Sequence, residues 1–332
     1  MAKVELHRHL EGSLRLATIK EIAQQHALTV PDSIVDLSGL VQVQDADPLT
    51  FNNFLEKFRT LRLFYRSPEV IRRVTSEAVE DAARDNVRYL ELRFTPVALS
   101  RMEDFPMREV MDWVITSTQE AAKQYGIKVN LLASVNRHES PELAEQVAAL
   151  AVDSMSRGVV GLDLAGNEAE FDCKPFIGIF KEARQAGLRL SVHAGEWGPA
   201  DNVRRAIEQI DTDRIGHGVR VMQDPSVVAL ARERGVTFEV CVTSNYQSGV
   251  VPSLMEHPLP SMIEAGLDVT INTDDPSISR ITLSREYQAV CEDLKVPMDV
   301  LKERVVAAAR AAFLPPQERD TMVTALKNEL QR

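Results

Sequence analysis

The sequence predicts an α/β chain closed into a (β/α)8 barrel, a TIM barrel with extra helices after its first strand and at its C-terminus. Eight short β-type runs alternate with stretches of helical periodicity, which is the arithmetic of a closed parallel barrel. The runs end in polar residues of catalytic type, and a barrel gathers its strand ends on one face. No G-x-G-x-x-G follows a strand and no G-x-x-x-x-G-K-[ST] occurs; these are the phosphate-binding devices of the competing doubly wound sheet.

The eight runs are Lys3–His7, Val87–Arg93, Lys128–Val135, Val159–Leu164, Leu188–His193, Arg214–His217, Val236–Cys241 and Asp268–Asn272. Helical periodicity fills the intervals, as in Pro141–Ser156, Lys174–Ala186, Asp201–Ile210 and Pro225–Arg234, several closed by a glycine where the helix stops. Two intervals exceed the repeating unit: residues 12–86 carry several helices, and the stretch after Asp275 is helical to the end. In the first, Phe51, Phe54, Leu55 and Phe58 fall at i, i+3, i+4 and i+7, one face of a helix. Plain core is the simpler reading of that face, and its place after the first strand also suits a lid over substrate. No Pro/Gly/Ser-rich linker, repeat or low-complexity tract divides the chain, so residues 1–332 are expected to form a single domain.

Composition narrows the class of function. With 332 residues, 44% of them hydrophobic and 26% charged, the chain can bury a large core. A net charge of −11 offers no basic face to a nucleic-acid polymer. The N-terminus enters a strand-like pattern without an apolar signal region, and no stretch is long enough to span a bilayer; a cytoplasmic protein with no membrane partner is expected. Cys173, Cys241 and Cys291 are widely spaced with no C-x-x-C. They read as small buried residues in a reducing compartment, not as a disulfide framework or a thiolate zinc site.

The histidines are segregated. Of seven, His7, His9, His193 and His217 lie at the ends of the first, fifth and sixth runs, whereas His26, His138 and His257 sit in helix or loop contexts. Side chains alternate along a strand, so His7 and His9 share a face and can chelate one ion. His193-Ala-Gly-Glu196 ends the fifth run, Arg214-Ile-Gly-His217-Gly the sixth and Asn272-Thr-Asp274-Asp275-Pro the eighth. In a parallel barrel these ends converge, and three imidazoles with one carboxylate suit zinc, leaving a position for water. Adjacent Asp274 and Asp275 repel unless a cation or proton lies between them.

Taken together, Glu5-Leu-His-Arg-His-Leu-Glu-Gly, Phe54-Leu-Glu-Lys-Phe58, Leu162-Asp-Leu-Ala-Gly-Asn-Glu168, His193-Ala-Gly-Glu196, Arg214-Ile-Gly-His-Gly218, Glu239-Val-Cys-Val-Thr-Ser-Asn245 and Asn272-Thr-Asp-Asp-Pro276 resemble, in order, the adenosine deaminase family of the metal-dependent amidohydrolases. The resemblance implies hydrolytic deamination of a small aminopurine, adenosine or 2′-deoxyadenosine first. It implies His7, His9, His193 and Asp274 as ligands of one zinc ion per chain. His217 and Asp275 would orient and deprotonate the water that attacks C6, and Glu196 would protonate N1. Substrate would touch His9, Glu11, Gly166, Asp275, Phe54 and Phe58, with Gly166 letting the purine edge approach the backbone.

The chain departs from the family pattern at Glu11, where many adenosine-specific members carry Asp, at Asn167, where Asp is common, and at Val242, where Pro is common. Glu11 makes adenine, or a 5′-modified adenosine such as 6-aminodeoxyfutalosine, the alternative substrate. Trp197 reads as rim packing before base stacking, and Ser244 and Asn245 as candidate substrate contacts or an ordinary turn pair. Two other readings remain: a two-metal amidase or phosphotriesterase, for which Asp163-Leu-Ala-Gly166 lacks the bridging lysine, and a zinc-holding barrel without turnover. Oligomeric state is not legible.

Overall fold

In a computed structural model describing residues 1–331, eight parallel strands pair in the order β1 to β8. They are β1 (Lys3–His9), β2 (Val87–Phe94), β3 (Lys128–Asn136), β4 (Val159–Ala165), β5 (Arg189–His193), β6 (Arg214–Gly216), β7 (Thr237–Val240) and β8 (Asp268–Ile271). The ring closes between β8 and β1 through a parallel bridge of Arg8 with Asp274. His9 N–H donates to the Asp274 carbonyl at 2.8 Å and Asp274 N–H to the His7 carbonyl at 3.0 Å. That pairing is why β1 runs two residues beyond the expected His7 and takes His9 into the strand. The short β6 instead leaves His217 just past its end.

Helices lie between the strands, and two expected ones end differently from their sequence limits. Pro141–Asp153 gives way to a 3₁₀ turn, Met155–Arg157, and Ala200–Arg205 continues as a π turn, Ala206–Ile210. Helix Pro68–Arg84 packs on β2, and helix Met298–Ala311 covers β8 and β1. The additional helices after β1 are Leu16–Gln25, Ile34–Val41 and Phe51–Leu61. The last is capped by Thr50 Oγ1, which accepts from Asn53 N–H, and is tied down by Lys57, whose Nζ donates to the Gly39 carbonyl at 2.8 Å and pairs with Asp47 at 2.9 Å. The lysine of the Phe54-Leu-Glu-Lys-Phe58 segment thus anchors the helix. Phe54 and Phe58 form an edge contact with centroids 6.2 Å apart. No helix among the described residues is long and apolar enough to cross a membrane.

The barrel interior is charged. Arg93 pairs with Asp163 at 3.1 Å and with Glu239 at 2.7 Å. Arg214 pairs with Glu239 at 2.6 Å and with Glu91, and none of these five side chains is more than 1% exposed. Desolvating so many ions is costly, and only multiple charge-assisted hydrogen bonds offset it. At the bottom the chain returns after its last barrel helix: Phe313 lies under the Arg214 guanidinium, 3.4 Å from it, and its N–H donates to Glu91.

Candidate active site

At the top of the barrel four imidazoles and one carboxylate converge. His7, His193, His217 and Asp274 each offer a ligand atom, all within 4.8 Å of one another, and the cluster can hold a metal ion. His9, which the sequence placed in this set instead of His217, is adjacent: its Nε2 is 3.4 Å from His193 Nε2 and 3.3 Å from Asp274 Oδ1. His7 Nε2 lies 3.2 Å from the same oxygen.

What stands behind each ring decides which nitrogen is bare. His7 Nδ1 donates to Glu239 Oε2 at 2.8 Å and His193 Nδ1 to Asp163 Oδ1 at 3.1 Å. In their neutral form both rings therefore turn a bare Nε2 inward, the arrangement that carboxylates enforce on metal-binding histidines. Buried His7 Nε2 has no hydrogen-bond partner. Lone pairs facing one another and a carboxylate are repulsive, and a divalent cation resolves them. These donors fit a metal.

Backbone strain holds the remaining parts. Asp274 has φ 63° and His217 φ 57°, left-handed conformations that cost non-glycine residues about 1–3 kcal/mol each. The segment around Asp274 is stapled to β1: Leu6 N–H donates to Asn272 Oδ1 at 2.8 Å, Thr273 bonds to the Glu5 carboxylate, and Ser277 N–H donates to the Gly12 carbonyl at 2.8 Å. Ser244 Oγ donates to Asp274 Oδ2 at 2.7 Å. A Cβ on Gly12 would overlap the Asp275 carboxylate. Gly12→Ala is therefore expected to lower kcat by on the order of 10²-fold through misplacement of Asp275, with little loss of Tm; kinetics and a thermal scan on one preparation check it.

Glu196 is 3% exposed. Burial, reinforced by the Asp274 and Glu168 carboxylates, pushes its pKa well above the ordinary carboxyl range. Its loop is held by Glu168, whose carboxylate accepts from the N–H groups of Gly195 at 3.0 Å, Glu196 at 2.6 Å and Gly198 at 3.0 Å. Asp275 is likewise pushed up, by burial and then by Asp274 and Glu11. Glu11 accepts from Thr95 N–H at 2.6 Å through Oε1, while buried Oε2 has no partner.

Glu11, Glu196 and Asp275 line a cavity of about 290 Å³, together with His9, Phe54, Phe58, Gly166, Trp197 and Arg62. This is small for a ligand pocket and suits one nucleoside-sized molecule. Gly166 has φ +92°, which a side chain rarely adopts. Trp197 packs on Phe51 of the helix above it, centroids 5.6 Å apart, which is the rim packing expected of it. Glu168, Glu239, Asp163, Arg93 and Arg214 received no role from the sequence. Their signal was there, as charged residues inside or just beyond strands that are otherwise apolar.

Below the strand-seven loop, Glu286 accepts from Thr243 N–H at 2.9 Å and bonds its hydroxyl. Burial, against those bonds, pushes Glu286 up to about 7. An acid whose folded pKa exceeds its unfolded one stabilises fully below the unfolded value, near 4.5. That contribution declines as pH climbs to about 7, by about 1.4 kcal/mol per unit. Glu286→Gln copies the protonated form, so its Tm advantage over wild type is expected to grow from pH 5 to pH 8; a pH-independent difference would contradict this.

A family model described as adenosine deaminase matches residues 2–329. An adenosine deaminase of Enterococcus faecalis is 34% identical over 319 residues, covering 96% of this chain and 94% of that one. The crystal structure of adenine deaminase from Arthrobacter aurescens superposes with a TM-score of 0.91 at 24% identity, over 99% of each chain, a likeness of fold. An amidohydrolase from Burkhoderia ambifaria with bound Zn also reaches a TM-score of 0.91, at 26% identity, over 100% of this chain and 91% of that one.

Proposed function

Because this chain belongs to the adenosine deaminase family, we propose that it hydrolyses the 6-amino group of an aminopurine, adenosine and 2′-deoxyadenosine first, with one zinc ion per chain. The observation that carries this reading is the meeting, in one 290 Å³ cavity, of a metal-fitting cluster with Glu196 and Asp275, two buried carboxyls of raised proton affinity. His7, His9, His193 and Asp274 are the proposed ligands; zinc held there would lower the pKa of water.

The chain's own groups do the rest. Asp275 takes a proton from the water that attacks C6, and His217 orients that water. Glu196 delivers its proton to purine N1, so the ring loses aromaticity without gathering negative charge. Asp275 passes the proton it took to the 6-amino group, the C6–N bond breaks and ammonia leaves, while the C6 hydroxyl becomes a carbonyl and its proton restores Glu196. Phe54 and Phe58 cover the base, Gly166 admits its edge, and His9 and Asp275 border it. The unpartnered Glu11 Oε2 accepts from a ribose hydroxyl, or from a ring N–H if the substrate is free adenine. Residues 1–332 act as one domain in this reading, since the site draws on side chains from His7 to Asp275. Three free cysteines suit a reducing cytoplasm.

The test is ammonia release from adenosine, 2′-deoxyadenosine, adenine and 5′-substituted adenosines, with metal counted by elemental analysis. Conversion of an aminopurine with one zinc per chain is expected. No conversion at any metal loading would overturn the reading, and two metals per chain would count for the two-metal amidohydrolases instead.

A further inference from the structure

Beyond the groups that face the cavity, a chain of hydrogen bonds runs from the backbone to His217, and its direction is settled at the far end. Leu259 N–H, which can only donate, points at His257 Nδ1 at 3.0 Å. His257 Nδ1 is therefore an acceptor and carries no proton. The ring is 3% exposed, and burial pushes its pKa down to about 3, so it is neutral and its one hydrogen is on Nε2. That N–H meets Asn245 Oδ1 at 3.2 Å. Flipping the amide would set Nδ2–H against His257 Nε2–H, two donors face to face. Asn245 is thus oriented, and its Nδ2–H donates to His217 Nδ1 at 3.1 Å.

We propose that His257 and Asn245 form a relay that fixes the tautomer of His217, holding its proton on Nε2 and so making it a hydrogen-bond donor at the reaction centre and not a metal ligand. The contrast with its neighbours is chemical. Carboxylates behind His7 and His193 draw the hydrogen to Nδ1 and leave Nε2 bare for a metal. An amide N–H behind His217 does the opposite. Its Nε2 stands 3.7 Å from Glu196 Oε1 and 3.9 Å from Asp274 Oδ2, too far for direct bonds and placed to reach an oxygen between them. A neutral imidazole protonated there donates to the attacking oxygen, and that bond strengthens as charge develops when C6 becomes tetrahedral. Proton removal then falls to Asp275 alone. His257 is a positioning residue, acting two hydrogen bonds from the chemistry. The role given to His217 rests on the deaminase reading; the tautomer itself does not.

Long-range ¹H–¹⁵N correlation spectra of the zinc-loaded protein, labelled with ¹⁵N-histidine and assigned with His217→Gln, read the tautomer directly. The expected pattern for His217 is a protonated Nε2 and an unprotonated Nδ1. A protonated Nδ1, or an Nε2 shifted by bound metal, would overturn the relay. Asn245→Asp offers an acceptor to Nδ1 and is expected to move the proton there, lowering kcat by about 10²- to 10⁴-fold with little change in KM, the scale of a wrong-tautomer defect. His257→Phe keeps a ring but removes both bonds. It is expected to lower kcat roughly tenfold and to show both His217 tautomers, with partial recovery in His257→Gln, which retains a donor and an acceptor. If His257→Phe alters Tm but neither the His217 spectrum nor kcat, His257 merely caps the following helix and the relay is wrong. Should no aminopurine be converted, the spectra still decide the tautomer, so the two failures are told apart.

Discussion

Glu196→Gln is expected to lower kcat for the aminopurine substrate by about 10²- to 10⁴-fold, the usual worth of a positioned general acid, with KM and Tm nearly unchanged. Glutamine matches the carboxyl in shape and can still donate a hydrogen bond, but it has no proton to transfer. The loop does not depend on the substituted group, because Glu168 holds it through the backbone N–H groups of residues 195, 196 and 198. Burial, then the Asp274 and Glu168 carboxylates, push the Glu196 pKa well above the ordinary carboxyl range. Activity that needs this proton is present below the raised pKa and lost as pH rises through it. Wild-type kcat should accordingly fall on the alkaline side, and that limb should be missing from the residual activity of the variant. Ammonia release measured across pH for both proteins is the check; undiminished turnover by Glu196→Gln would remove Glu196 as the donor while leaving the reaction in place.

Much of this was legible before the fold was seen, for an identifiable reason. Strand ends in a parallel barrel share one face, so motifs scattered from His7 to Asp275 could be assembled from topology alone. The alternation that aligned His7 with His9 needs no tertiary information either. Contacts set by position across the barrel were not legible. Glu239 reaches His7, Arg93, Ser191 and Arg214 from four other strands, and no spacing along the chain encodes that set. The sequence sets His257 apart only as one of three histidines in helix or loop contexts, because its partners, Asn245 and Leu259, become meaningful only once the amide is seen against His217. The left-handed backbone at His217 and Asp274 was equally hidden: aspartate and histidine enter that region more readily than most residues, but only a few per cent of non-glycine residues do so and no spacing marks which.

Glu239→Gln is the substitution expected to couple stability and metal binding most strongly. Its carboxylate accepts from His7 Nδ1, Arg93 Nη2 and Ser191 Oγ and pairs with Arg214, so one lost charge is felt by two buried guanidiniums and one proposed ligand. Breaking a buried ion pair from one side costs about 3–5 kcal/mol, which for a chain of this length corresponds to a Tm lower by roughly 4–7 °C. The His7 ring loses the carboxylate that sets its tautomer, and metal affinity should fall about 10- to 100-fold. Burial works to raise the Glu239 pKa, but Arg93 and Arg214, and then His7, hold it well below the ordinary value. A depressed carboxyl contributes stability above its unfolded pKa, near 4.5, and loses it as pH falls through the folded one. Wild type should therefore lose stability in acid more steeply than Glu239→Gln. Thermal scans across pH, with zinc affinity measured by chelator competition, separate the two effects. A variant with lowered Tm but unchanged zinc affinity would mean that Glu239 serves the charged barrel interior and that something else holds the His7 ring.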